Sequence, residues 1–130
     1  MNLEFTILKD FYSIYRFEKD TKIPSWLNVS GFYSITRTND ELSIVCKHVD
    51  IKLFDNIMID KHWRIFKING PMDLSQVGII AHISDLFKKN NISIFPIATY
   101  DTDYILIKNE NLHKAITALE NEGHKVFIEK

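Results

Sequence analysis

The sequence is short of the residues that mark most specialised protein classes. It holds one cysteine, Cys46, so no internal disulfide is available, and no Cys or His partner stands at metal-ligand spacing beside it. A secreted disulfide scaffold and a sequence-local zinc site are excluded, and a reducing cytoplasm is the expected setting. Glycine and proline number four and three, and no segment is low in complexity, so flexible linkers and disorder are not expected. Sixteen basic against seventeen acidic residues leave no excess of one sign, which removes the electrostatic footprint of a protein that clamps a phosphate backbone. No run approaches the ~18 apolar residues of a membrane span, and Met1 to Glu4 shows no basic leader. Neither nucleic acid nor membrane is an expected partner.

What is present is β-type sequence. At 130 residues the chain suits one ordinary domain or two small ones sharing a core, near the usual domain size of roughly 100–150 residues. Apolar residues recur at period two from Leu3 to Leu8 and from Tyr12 to Phe17, which predicts two strands. Pro24 to Leu27 reads as a single helical turn, too short to be a packed helix. Gly31 to Thr38 and Leu42 to Lys47 form a hairpin around Asn39-Asp40-Glu41. Residues His48 to Lys61 fit neither period and read as a mixed connection, after which Trp63 to Asn69 is a strand closed by Gly70-Pro71.

A second unit opens there. Asp73 and Gln76 have the spacing of a capping box, and the apolar stripe of Val77, Ile80, Ile83 and Phe87, with Ile79 and Leu86 beside it, predicts a helix to about Lys89. Ile92 to Ile107 is a hairpin with a polar turn at Thr99 to Thr102. Asn109 to Glu122 is a second helix, with Leu112, Ala115, Ile116 and Leu119 inward and Gly123 set for a left-handed ending, and His124 to Ile128 is a last strand. Strand, helix, strand, strand, helix, strand is the ferredoxin-like α+β arrangement, with both helices on one face of an antiparallel sheet. Pro96 fits it, because the strand after the first helix lies at an edge.

The first half reads as a degenerate copy. Thr38 to Lys47 laid on Thr99 to Lys108 matches Thr, Asp, Ile and Lys without a gap. A copy without long helices needs cover for its sheet from the second half or from another subunit, which favours intimately packed units and a dimer.

Chemistry-bearing patterns are few. The five histidines are scattered, and neither a serine elbow nor a phosphate-binding glycine loop occurs. Asp101 with Asp103 is the one carboxylate pair that suggests acid–base work, and a small hydrolase or isomerase built on it is the enzymatic alternative. Asp101 reads as turn chemistry, whereas Asp103 lies on the same strand face as Ile105 and Ile107, where a carboxylate needs a partner or ligand. The helix start near Gly78 offers backbone N–H groups suited to a carboxylate, so an amino acid would be matched by the two together. The bland reading of Gly78 is close helix–sheet packing.

Gly70 to Ala81, Ile92 to Phe95 and Thr99 to Ile107, with Gly31 to Thr38, Asp40 to Val45 and Trp63 in the first half, resemble small stand-alone ACT-domain proteins. The resemblance extends to the regulatory ACT domains of aspartokinases and the ACT pairs of cytosolic arginine sensors. It implies two ACT units, a degenerate one over residues 1–61 and an ACT domain over 62–130. It also implies a non-enzymatic, amino-acid-binding regulatory or sensor module without cofactor, a homodimer, and a regulated enzyme as partner. Carried over residue by residue, the ligand site would comprise Ser75, Val77, Gly78 and Ile79 at the helix start and Ile97, Ala98, Thr99, Thr102 and Asp103 on the hairpin. Ser43 and Ile44, repeat-mates by position, would complete it from the other half. Pro96 and Ala98 stand where relatives often carry Ala and Ser, which removes a hydroxyl. The alternative is an assembly module that keeps the fold and has lost its ligand.

Overall fold

The computed structural model describes residues 2–27, 31–50, 57–69 and 78–130. It divides into two compact units, one of residues 1–9 with 63–130 and one of residues 10–62. The sequence reading began the first unit at residue 1; the first strand instead belongs with the C-terminal half.

In the C-terminal unit, β1 is Glu4–Ile7, β5 enters at Trp63 from a strand spanning Met58–Ile68, α1 is Ile79–Lys89, β6 is Phe95–Ala98, β7 is Asp103–Lys108, α2 is Leu112–Asn121 and β8 is Lys125–Ile128. The expected strand–helix–strand–strand–helix–strand order is present from β5 to β8. Its sheet runs β6-β7-β5-β1-β8, with β1 intercalated between the first and last strands of the ferredoxin-like set. Because β1 lies antiparallel to β5 and parallel to β8, the sheet is mixed where an antiparallel one was expected. The alternation of β1 explains its place: Phe5 and Ile7 point to the face that also carries Phe66, Ile68, Ile105 and Ile107, and all are fully buried. Both helices cover this face, through Ile79, Ile83, Leu86 and Phe87 of α1 and Ala115, Ala118 and Leu119 of α2.

Pro96 sits on the edge strand β6, which pairs only with β7. The hairpin closes with Thr99 N–H donating to the Thr102 carbonyl, so alternate pairs along the ladder leave Pro96 nitrogen facing away from β7, where no donor is needed. Two helix boundaries differ from the sequence reading. Gly78 has φ +90° and stands at the N-cap of α1, which starts at Ile79; the Asp73–Gln76 box lies outside the described residues. Asn109–Asn111 form a 3-10 turn before α2, and the Asn109 side chain accepts from Arg64 at 3.5 Å instead of capping. Gly123, at φ +90°, ends α2 as expected, with His124 N–H returning to the Leu119 carbonyl.

The N-terminal unit contains β2 (Tyr12–Phe17), β3 (Tyr33–Arg37) and β4 (Leu42–Lys47), antiparallel in the order β3-β4-β2. No α-helix occurs among its described residues. Part of the cover comes from its own 3-10 turn, Ser25–Leu27: Leu27 is buried with Tyr15, Phe17, Leu42, Ile44 and Cys46, and the Trp26 ring lies 5.4 Å from Tyr15 and 6.3 Å from Phe17. The turn read from sequence as a strut is thus a lid for the sheet. Residues 58–62 begin β5 in this unit, a stretch assigned to the mixed connection; His62 at φ +70° breaks the two-residue alternation, which hides the strand from a periodicity reading.

The repeat is visible in the hydrogen bonding. Thr38 N–H donates to the Glu41 carbonyl and Thr99 N–H to the Thr102 carbonyl, both at 2.9 Å, and each turn leads into a strand of equal length, β4 and β7. Ile44 and Ile105, matched by the alignment, are both fully buried.

Candidate functional site

The hairpin turn after β6 is built by threonine. Thr99 Oγ1 donates to the Thr102 carbonyl at 2.9 Å and accepts from Thr102 N–H at 3.4 Å. Thr102, 4% exposed, donates its own hydroxyl to the Ile68 carbonyl at 2.6 Å. That bond fixes the start of β7 against the end of β5, the strand from which the chain leads on toward α1. The two hairpin hydroxyls of the predicted site, those of Thr99 and Thr102, are therefore engaged in structure. Asp101 is exposed and makes no hydrogen bond among the described residues, so Thr99 performs the turn role expected of it.

Asp103 is the exception. It opens β7 at the register position opposite Ala98, and its half-buried side chain makes no hydrogen bond or ion pair to any described residue. Burial raises its carboxyl above the usual 3.8. The repeat gives a reference for what this position ordinarily holds, since the aligned residue is Leu42, fully buried in its own core. A carboxylate stands here in the place of a core leucine.

Of the helix-start residues, Ser75 and Val77 lie outside the described residues. Among the described residues a Cβ built at Gly78 meets nothing within 4 Å, and its positive φ is the feature that calls for glycine. Ile79 is buried in the core, 3% exposed, so only its backbone is available to a ligand. On β6, Ile97 is half-buried and Ala98 exposed. Ser43 and Ile44 lie on β4 of the N-terminal unit; Ile44 is fully buried among core side chains and Ser43 is half-buried, paired across to Arg16 and Thr36. An open hollow at the other end of α1, lined by Ser84, Lys88, Asn91, Ser93 and Pro96, touches none of the predicted residues.

Two side-chain constellations had no signal in the sequence. Ser13 Oγ lies 2.7 Å from His48 Nδ1, whose Nε2 lies 3.0 Å from Asp50, a sequence of groups that resembles a hydrolytic triad. Ser13 is 0% exposed and the Asp50 side chain 98% exposed, so the hydroxyl is closed to substrate and the carboxylate is too solvated to orient the ring strongly. The second is His82 Nε2 at 3.1 Å from His124 Nε2. Both arise from strand pairing or helix packing over long sequence separations, which no local spacing reveals. Cys46 is buried and its thiol is pushed up to about 11 by burial, so it is not a poised nucleophile.

In the second of the two repeated hairpins, then, a half-buried carboxylate stands without a side-chain partner among the described residues. Residues 58–121 match the family model of the ACT domain, and residues 10–52 match a separate N-terminal domain model. The chain belongs to the ACT-domain family. It is similar over its full length to a protein of Agrobacterium tumefaciens known from its crystal structure, with 35% identity, 100% of this chain and 96% of that chain covered, and a TM-score of 0.90. Two more distant likenesses show the shared fold. Clostridium acetobutylicum aspartate kinase is 17% identical over 87% of this chain and 33% of that chain, with a TM-score of 0.67. The regulatory subunit of aspartate kinase from Thermus thermophilus is 10% identical over 90% of this chain and 95% of that chain, with a TM-score of 0.63. Among the described residues no helix is long and apolar enough to cross a membrane.

Proposed function

We propose that the chain is a non-enzymatic regulatory module that binds a free amino acid, acts in the cytoplasm, and passes its ligand state to an enzyme partner as a homodimer. The observation that carries this reading is Asp103, a half-buried carboxylate without a partner among the described residues, standing where the repeat has the core residue Leu42. Such a group costs stability unless something cationic completes it. An α-ammonium supplies the charge, and the backbone N–H groups of the first turn of α1, from Ile79 onward, suit the α-carboxylate of the same ligand. The left-handed Gly78, with open space where a side chain would be, leaves room for that approach.

The test is a thermal-shift screen of the twenty amino acids at millimolar concentration. A ligand at ~100 Kd adds about 2.7 kcal/mol, enough to raise Tm by several degrees. Asp103→Ala should abolish the rise. One observation favours the second reading, an assembly module without ligand: the Thr99 and Thr102 hydroxyls are already engaged, so the hairpin has few free polar groups. Absence of any shift, together with a stable complex with an enzyme that amino acids leave unchanged, would select it.

A further inference from the structure

His124 follows Gly123 at the close of α2 and is 3% exposed. Its Nδ1 lies 3.0 Å from the backbone nitrogen of Leu3, just before β1. A backbone N–H only donates, so Nδ1 carries no proton and the neutral ring holds its proton on Nε2. That Nε2 faces His82 Nε2, one turn into α1, at 3.1 Å. A hydrogen bond there requires His82 Nε2 to be bare, which puts the proton of that neutral ring on Nδ1. Bond direction is thereby fixed from Leu3 through His124 to His82.

One added proton defeats this arrangement wherever it lands. On His124 it occupies Nδ1 and confronts the Leu3 N–H; on His82 it occupies Nε2 and confronts the His124 N–H. Either way two donors meet head to head in a part-buried site. We infer that His82 and His124 form a proton-sensitive latch, which ties the first turns of α1 to β1 and to the α2–β8 junction at neutral pH and opens in mild acid.

The surroundings agree. Burial holds the His124 ring below its ordinary 6.5, and His82 and the chain's amino terminus add to that, while Glu122 at the end of α2 opposes it. Phe5 of β1 presents an apolar ring edge-on at 5.9 Å, and Lys125 of β8 is exposed. On α1, Asp85 is held below the ordinary carboxylate value chiefly by Lys89, paired with it at 2.9 Å, and least by His82. A folded ring that takes up a proton less readily than the unfolded chain contributes stability in full above about 6.5, and that contribution is lost as pH falls below it. A shared metal ion would need a bare Nε2 on both rings, whereas the Leu3 N–H forces the proton onto His124 Nε2, and no third ligand completes a site among the described residues.

The experiment compares the full chain with a His82→Gln, His124→Asn double variant in thermal unfolding at about pH 7.5 and about pH 5.5, either side of histidine titration. Asparagine keeps an acceptor for the Leu3 N–H, and neither replacement titrates. The wild type should lose several degrees more than the variant on acidification; equal losses would overturn the latch. Nitrogen NMR of the wild type at neutral pH supplies a reading independent of the variant's folding. An unprotonated Nδ1 on His124 is expected, and a proton found there overturns the proposal. So would a rise in Tm on adding zinc at neutral pH that the variant lacks.

Discussion

At the scale of single residues, the contrast between Leu42 and Asp103 sets function against stability. Both open the second strand of their hairpin, and only the leucine belongs to a closed core. Desolvation raises the Asp103 carboxyl above 3.8, so the folded state disfavours the charge. That cost is complete above the folded value and vanishes below the unfolded one. Asp103→Asn, neutral and of the same shape, should therefore raise Tm of the ligand-free protein at neutral pH, lose that advantage in acid, and abolish any amino-acid-induced shift. A lower Tm for the variant at neutral pH would mean that the carboxylate has a stabilising partner. A substitution that gains stability while losing binding is the pattern of a site kept for function.

The element that most repays attention is α1, because its start differs from what its sequence advertises. Asp73 and Gln76 carry a capping signature, yet the described helix begins after the left-handed Gly78. Gly78→Ala should cost about 1–2 kcal/mol, the ordinary penalty of a left-handed L-residue, with no added clash against the described residues. Urea unfolding measures this, and a neutral effect would show that the turn is free to change conformation. The hairpins, Pro96 on an edge, the 3.6-residue stripes of both helices and the left-handed Gly123 were legible in the sequence because each rests on local periodicity or on one residue's backbone preference. Strand β5 before Trp63 was hidden by the left-handed His62, and the placement of β1 by the fact that alternation marks a strand without naming its neighbours. The site was legible only in part for the same reason: Asp103 was visible as a carboxylate in an apolar row, whereas the engagement of Thr102 with Ile68 is a pairing over a long separation.

At the scale of the molecule, the C-terminal unit is discontinuous in sequence, with residues 10–62 set between its two parts. Phe5 and Ile7 are fully buried members of its core, and β1 bonds to β5 on one side and β8 on the other. Removing residues 1–9 deletes both side chains and a central strand, at about 2–5 kcal/mol for each large side chain, against a typical total stability of 5–15 kcal/mol. The truncated chain should show no cooperative melting of this unit by circular dichroism. A folded truncation product would show that β8 can close directly onto β5.

Strand β1 pairs with two strands that lie far along the chain from it, Phe5 with Ile68 of β5 and with Val126 of β8. On the ribosome, therefore, β1 has no partner until β5 is made, and its other edge stays open until β8 follows. The residues enclosed between can reach their own three-stranded pairing meanwhile, but closure of the C-terminal sheet joins segments far apart in sequence and is slow for its size. During that interval the β1 segment is the one a chaperone would have most reason to hold.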